Sequence, residues 1–185
     1  MVIYMARKES ISRDGILDVA FAMMKEEGII SVTARKLAAK ANCSTQPIFR
    51  VFKSLEEMEQ AIFLKAVTYF EDFYLAFAQR SNIPFVNLGM AYIRFALDNK
   101  NIFSLLFISD KRHGRTLYDL INGESGAVSK EISKAKAAGI KDASDLFMKM
   151  WMVIHGSACM SLTGDYDLSE NDTQKLLEES YKAFS

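Results

Sequence analysis

Ser31–Met58, SVTARKLAAKANCSTQPIFRVFKSLEEM, reads as a short helix, a three-residue turn, a second short helix and the capped start of a long one. Thr33 is placed to cap the first helix, whose apolar side is Leu37, Ala38 and Ala41. Asn42 falls where the chain must turn sharply, and Asn is among the few non-glycine residues that visit the left-handed region. Ser44 or Thr45 caps the second helix. Pro47 is tolerated there because the first turn of a helix has amides without intrahelical partners. Ile48, Val51 and Phe52 return to the core, leaving Thr45, Gln46, Phe49 and Arg50 to look outward. Two helices joined by so tight a turn make a helix-turn-helix, a motif whose second helix enters the DNA major groove.

Upstream, Ile16, Leu17, Val19, Ala20, Met23 and Met24 recur at helical spacing between about Ser10 and Glu27, and Gly28 is a C′ glycine. With the two short helices this makes a three-helix head. Downstream, Ser54-Leu55-Glu56-Glu57 has the form of a capping box and opens a helix expected to reach about Gln79. Pro84 starts the next helix, to about Asn99. A short apolar segment, Asn101 to Ile108, precedes a polar loop. A helix between Arg115 and Gly139 is broken or bent at Asn122–Gly126. An apolar helix runs from Asp145 to Thr163, restarted by Asp142 or Ser144, and Ser169–Phe184 closes the chain. No alternating pattern calls for a strand. The expected class is all-α, with a DNA-binding head at 1–53 and a larger helical domain at 54–185.

Half of the 185 residues are hydrophobic, and there are only two prolines and nine glycines, a balance that excludes disordered and collagen-like chains. No apolar run reaches the ~18 residues of a membrane span, and the first ten residues lack the order of a signal peptide. Cys43 and Cys159 are expected to be free thiols, in keeping with a cytoplasmic protein. The net charge of zero conceals an asymmetry. Residues 1–53 carry nine bases (Arg7, Lys8, Arg13, Lys25, Arg35, Lys36, Lys40, Arg50 and Lys53) against five acids (Glu9, Asp14, Asp18, Glu26 and Glu27). The rest of the chain is acidic by the same margin. A basic head suits a DNA reader, because phosphate contacts supply most non-specific affinity.

Placed near the start of a helical chain of this length, the motif resembles the TetR/AcrR family of transcriptional regulators. That family shows a glycine closing its first helix, here Gly28, then a Ser/Thr pair, here Ser31 and Thr33. A run of the form "IA..AGVS.GTLY.HF.SKEEL" follows, matched by Leu37-Ala38, Ala41–Ser44, Gln46–Phe52 and Ser54–Met58. The resemblance covers Ile11 to Met58. Asn42 stands for the usual turn glycine, Gln46 for a small residue, and Phe49 for a tyrosine whose hydroxyl usually meets phosphate. The recognition helix and its flanks give the expected contact set with double-stranded DNA: Thr33, Arg35, Ser44, Thr45, Gln46, Pro47, Phe49, Arg50 and Lys53. Gln46 suits adenine, and Arg50 suits guanine or phosphate.

The family's larger domain generally holds a ligand cavity, which implies a small, largely apolar effector here. The aromatic and methionine positions at helical spacing become the candidates: Phe70, Phe73, Phe77, Phe103, Phe107, Met148, Trp151, Met152 and His155. The bland alternative for each is core packing. Trp151…His155-Gly156 also resembles the "W…HG" signature of one TetR subgroup. The last two helices pair with their symmetry mates in this family, which implies a homodimer and the contact set Ala158, Ser161, Leu177, Tyr181 and Phe184. Repression relieved by ligand is the family's usual sign. His155 is either a satisfied core histidine or a pocket group. Two histidines and a neighbouring Cys159 are too few ligands for a metal site, and no cofactor is expected. No nucleophile motif, phosphate loop or HExxH points to an enzyme. The competing reading is a helical adaptor whose head binds protein instead of DNA.

Overall fold

The computed structural model describes residues 12–123, 126–137 and 139–185. Ser10, Ile11 and the charged residues before them lie outside this range. Ten α-helices and no strand occur among the described residues, so the chain is all-α. It divides into two compact units, residues 1–65 and 66–185. None of the described helices is long and apolar enough to cross a membrane.

In the first unit α1 spans Arg13–Glu27 and is capped by Ser12, whose Oγ accepts from the Gly15 amide. Gly28 ends it at φ 83°, returning its amide to the Met24 carbonyl. A single 3-10 turn, Ile29–Ser31, leads to α2, Ala34–Lys40. Thr33 caps α2 as its sequence position implies, accepting from the Lys36 amide at 3.3 Å. Asn42 takes φ 50°, the left-handed step that turns the chain into α3, Thr45–Val51. Ser44 occupies the N-cap position of α3, yet its hydroxyl makes no capping bond. That leaves the hydroxyl exposed, ahead of α3. Ile16, Met24, Leu37, Ile48, Phe52 and Met58 are excluded from solvent and hold the three helices together. Each such side chain stabilises the unit by roughly 1.5–3 kcal/mol relative to exposure.

The long helix α4 is Leu55–Ala76, three residues shorter than its pattern suggests. Only half of its capping box forms in the usual way. The Ser54 hydroxyl accepts from the Glu57 amide, but the Glu57 carboxylate reaches past Ser54 to accept from the Lys53 amide at 2.8 Å. The boundary between the two units falls inside this helix.

The second unit is built on α5, Pro84–Asp98, with Pro84 in its first turn. Ten of its residues, from Phe85 to Ala96, are buried on nearly every side, the mark of a central helix. α9 (Ala143–Thr163, capped by Asp142) and α10 (Glu170–Phe184, capped by Ser169) pack against it. Gly89 allows the approach: a Cβ there would lie 2.8 Å from Leu177 Cδ1 and 2.9 Å from Ile154 Cγ1. α6, Lys100–Phe103, runs on as one π-helical turn, Ser104–Ile108. The expected helix between Arg115 and Gly139 is two, α7 (Leu117–Asn122) and α8 (Ala127–Ala137), parted at glycines 123 and 126, which take φ 57° and 65°.

Candidate functional site

In the first unit α3 is pinned from behind. Ile48 and Phe52 are buried, and the Arg13 guanidinium lies 4.5 Å above the Phe52 ring while pairing with Glu57 at 3.5 Å. The opposite face of α3 is open. Ser44, Thr45, Gln46, Phe49 and Arg50 are exposed and Pro47 is half-buried. Ser44, Gln46, Pro47, Phe49 and Arg50 line one open concavity. Thr33, Arg35 and Lys53 are exposed as well.

The cations of the unit separate into two groups, which the net charge could not reveal. Lys36 and Lys40 are neutralised by Glu27 and Glu26, Lys65 by Asp18, and Arg13 by Glu57. Among the described residues Arg35, Arg50 and Lys53 carry no ion pair, and Arg50 and Lys53 lie on and just after the recognition helix. Free cations beside an exposed glutamine and an exposed aromatic ring can meet phosphate and base edge together.

In the second unit a cluster of rings surrounds Tyr92, which is wholly buried. Phe103, Phe107 and Trp151 stand edge-on to it at 5.0, 4.9 and 4.8 Å between centroids. Phe70 joins Phe107 and Phe95 at 5.0 and 4.9 Å, and Phe73 meets Phe95 at 5.2 Å. These contacts make Phe70, Phe103, Phe107 and Trp151 packed core. Phe73 and Phe77 are half-buried at the margin, 6.1 Å apart. Of the expected ligand-facing residues, Phe70 lines a shallow cleft shared with Glu71, Tyr74, Leu75 and residues 120–123. Met148 and Met152 turn away from the rings and are 52 % and 62 % exposed. On α9 they share a phase with Gly156 and Met160, four residues apart each time, whereas Trp151 and His155 lie on the inward side.

The expected dimer contacts also require correction. Ala158, Ser161 and Leu177 are fully buried within the chain, so they have no surface to offer a partner. Ala158 and Ser161 of α9 serve the packing of helices inside one subunit. Tyr181 and Phe184 remain half-exposed, Tyr181 beside Phe85 at 6.4 Å.

His155 is satisfied by a partner that sequence inspection did not find. The Tyr92 hydroxyl lies 3.0 Å from His155 Nδ1, Cys159 Sγ lies 3.6 Å from Nε2, and Trp151 stacks on the imidazole at 5.4 Å. The only signal for Tyr92 was a polar tip within the apolar run Leu88–Ile93. Burial, and secondarily the charge of Arg112, holds the imidazole below its ordinary pKa of 6.5. Burial raises the Tyr92 phenol well above its usual range, with Cys159 adding to it and Arg112 opposing, and burial likewise raises the Cys159 thiol. All three groups are therefore neutral at neutral pH. Since unfolded His155 binds its proton more readily than the native residue, its contribution to stability is present above pH 6.5 and declines as the pH falls below it. Between about pH 7.5 and about pH 5.5 the melting temperature is expected to drop further in the parent than in His155→Gln. Equal drops would exclude His155 as a source of the acid sensitivity.

Among the described residues no three metal-binding side chains converge, and Cys43 and Cys159 are free thiols.

Residues 85–184, more than half the chain, match the family model described as a tetracyclin repressor-like C-terminal domain. No curated protein sequence matches. Among solved structures, one described as a TetR-family transcriptional regulator from Vibrio parahaemolyticus superposes with a TM-score of 0.65 at 20 % identity, covering 92 % of this chain and 97 % of that one. A TetR-like transcriptional regulator from Rhodococcus sp. RHA1 gives 0.64 at 14 %, over 95 % and 97 %. RolR in complex with resorcinol gives 0.56 at 16 %, over 94 % and 92 %.

Proposed function

This chain belongs to the TetR-like family of transcriptional regulators, and on that premise we propose that it is a cytoplasmic, homodimeric repressor that grips a palindromic operator and leaves it on binding a small, largely apolar ligand. The observation that carries the DNA-binding part is the exposed face of α3, with Gln46 and Phe49 between Thr45 and Arg50 and with Arg35, Arg50 and Lys53 free of carboxylates. Residues 1–53 would read DNA and 54–185 would bind ligand and pair. The resorcinol held by RolR, a protein of similar fold, supports a compact ligand with an apolar body.

A single recognition helix covers too few base pairs for specificity, whereas two heads one helical turn apart, about 34–36 Å, read a palindrome. The second copy is expected on the exposed stripe Met148, Met152, Gly156 and Met160 of α9, with the half-exposed Tyr181 and Phe184 of α10 as further contacts. Because α4 contributes to both units, it is the natural element to carry ligand binding to the head. Such coupling requires a ligand that favours one of two states, typically by about 1–3 kcal/mol.

Selection of bound sequences from random duplex DNA tests the function directly, and the selected site should be palindromic. Its affinity should fall with salt at a slope of about −0.9 per neutralised phosphate; a protein-binding adaptor would hold no duplex. Gln46→Ala is expected to weaken the selected operator by about 1–3 kcal/mol while sparing random DNA. The same loss on both, at matched salt, would show that Gln46 does not read bases.

A further inference from the structure

Next to the aromatic cluster stands a cation that the fold leaves incompletely satisfied. Arg112 is half-buried in the loop after the π-helical turn. Its Nη2 donates to the Phe107 carbonyl at 3.4 Å, and its Nε is buried without a hydrogen-bond partner. No carboxylate pairs with it among the described residues. A partly desolvated guanidinium with neither counter-ion nor full hydrogen bonding carries a cost, which is offset when an oxyanion joins it. Phe107, which holds Arg112, is in edge contact with Tyr92, and Tyr92 bonds His155. Arg112, Phe107, Tyr92 and His155 thus follow one another along one side of the cluster. That side reaches the surface, since Arg112, His155 and Cys159 are all only half-buried.

A second observation concerns the backbone. Phe107 lies in the five-residue π-helical turn, closed by the Ser109 amide on the Ser104 carbonyl at 2.9 Å. Such turns are rare and gather at functional sites. Here the turn delivers the carbonyl that orients the Arg112 fork.

We infer that Arg112, with the Tyr92–His155 pair beside it, binds the carboxylate of a small acid whose apolar body lies against the half-buried His155–Cys159 face. A guanidinium offers paired N–H groups in a planar fork that matches a carboxylate. Tyr92, His155 and Cys159 carry no charge at neutral pH, so Arg112 supplies the attraction and none of the three competes with the ligand for it. The inference rests on the proposed ligand-responsive regulator and specifies its effector as a monocarboxylate with a flat or compact apolar part.

The chain has one tryptophan, Trp151, stacked on His155 in the site itself, so its emission reports binding directly. Full-length protein would be titrated with benzoate, with the neutral isostere benzamide, and with inorganic phosphate as the alternative source of an oxyanion. Saturable change with benzoate is expected, with benzamide much weaker and phosphate weaker for want of an apolar body. Arg112→Gln should raise the benzoate Kd by roughly 10- to 100-fold at an unchanged melting temperature. Arg112→Lys, which keeps the charge and loses the fork, should fall between.

Three results would overturn the inference: no saturable response to benzoate, equal binding of benzamide, or unchanged binding in Arg112→Gln. Tighter binding of phosphate would also overturn it, in favour of a plain anion site. Operator affinity measured at saturating benzoate separates the two levels. Release of DNA supports both the site and the regulator. Benzoate bound through Arg112 with DNA affinity unaltered leaves the site standing and removes its regulatory role.

Discussion

Tyr92→Ala is expected to lower stability by about 3–5 kcal/mol, the range for deleting a large buried ring. In a chain of this size that is a fall in melting temperature of roughly 10 °C. Tyr92 is fully enclosed and touches Phe70, Phe103, Phe107 and Trp151, so its removal opens a cavity between α4, α5, the π-helical turn and α9. Tyr92→Phe keeps the ring and removes only the oxygen. It should cost about 1 kcal/mol, because His155 loses its 3.0 Å partner but is itself half-open to water. The contrast between the two variants, measured by thermal and denaturant unfolding, separates packing from hydrogen bonding. A Tyr92→Ala protein as stable as the parent would mean that the rings are not the core of this unit.

Met152→Glu is expected to abolish the proposed dimer while leaving the subunit folded. Met152 is 62 % exposed and lies mid-way along the Met148–Met160 stripe. A charge there costs the isolated subunit within about 0.5 kcal/mol. In an isologous interface the same substitution appears twice and would place two carboxylates in apolar surroundings, at several kcal/mol. Sedimentation at micromolar concentration should show a monomer, and operator affinity should fall with it because the two heads are no longer joined. A variant that remains dimeric at full operator affinity would move the pairing surface off this stripe. The corresponding substitution at Ala158 would be uninformative, since that residue is buried within the chain and its replacement would damage the fold itself.

The head was legible residue by residue because its signals are local. A cap needs a hydroxyl three residues before an amide, a left-handed turn needs Asn or Gly, and the outward face of a seven-residue helix follows from its periodicity. Thr33, Asn42 and the exposed set on α3 accordingly stand where the sequence implies. Ser44 is the exception. Its residue type and position fit a cap, yet the bond depends on a rotamer that neighbouring side chains leave unspecified.

In the larger unit the sequence determined the helices and their apolar content, and no more than that. A ring at helical spacing is equally suited to a core, a cavity wall or a subunit interface, because all three exclude water and only the neighbouring helices distinguish them. Tertiary packing assigned Phe103, Phe107 and Trp151 to the core, turned Met148 and Met152 outward, and enclosed Ala158, Ser161 and Leu177. It also joined Tyr92 to His155 across 63 positions and brought Arg112 to the Phe107 carbonyl. A helix's own period is written in its residues. Which side of it meets which neighbour depends on distant segments, through contacts such as Gly89 against Leu177 and Ile154 that no local pattern encodes.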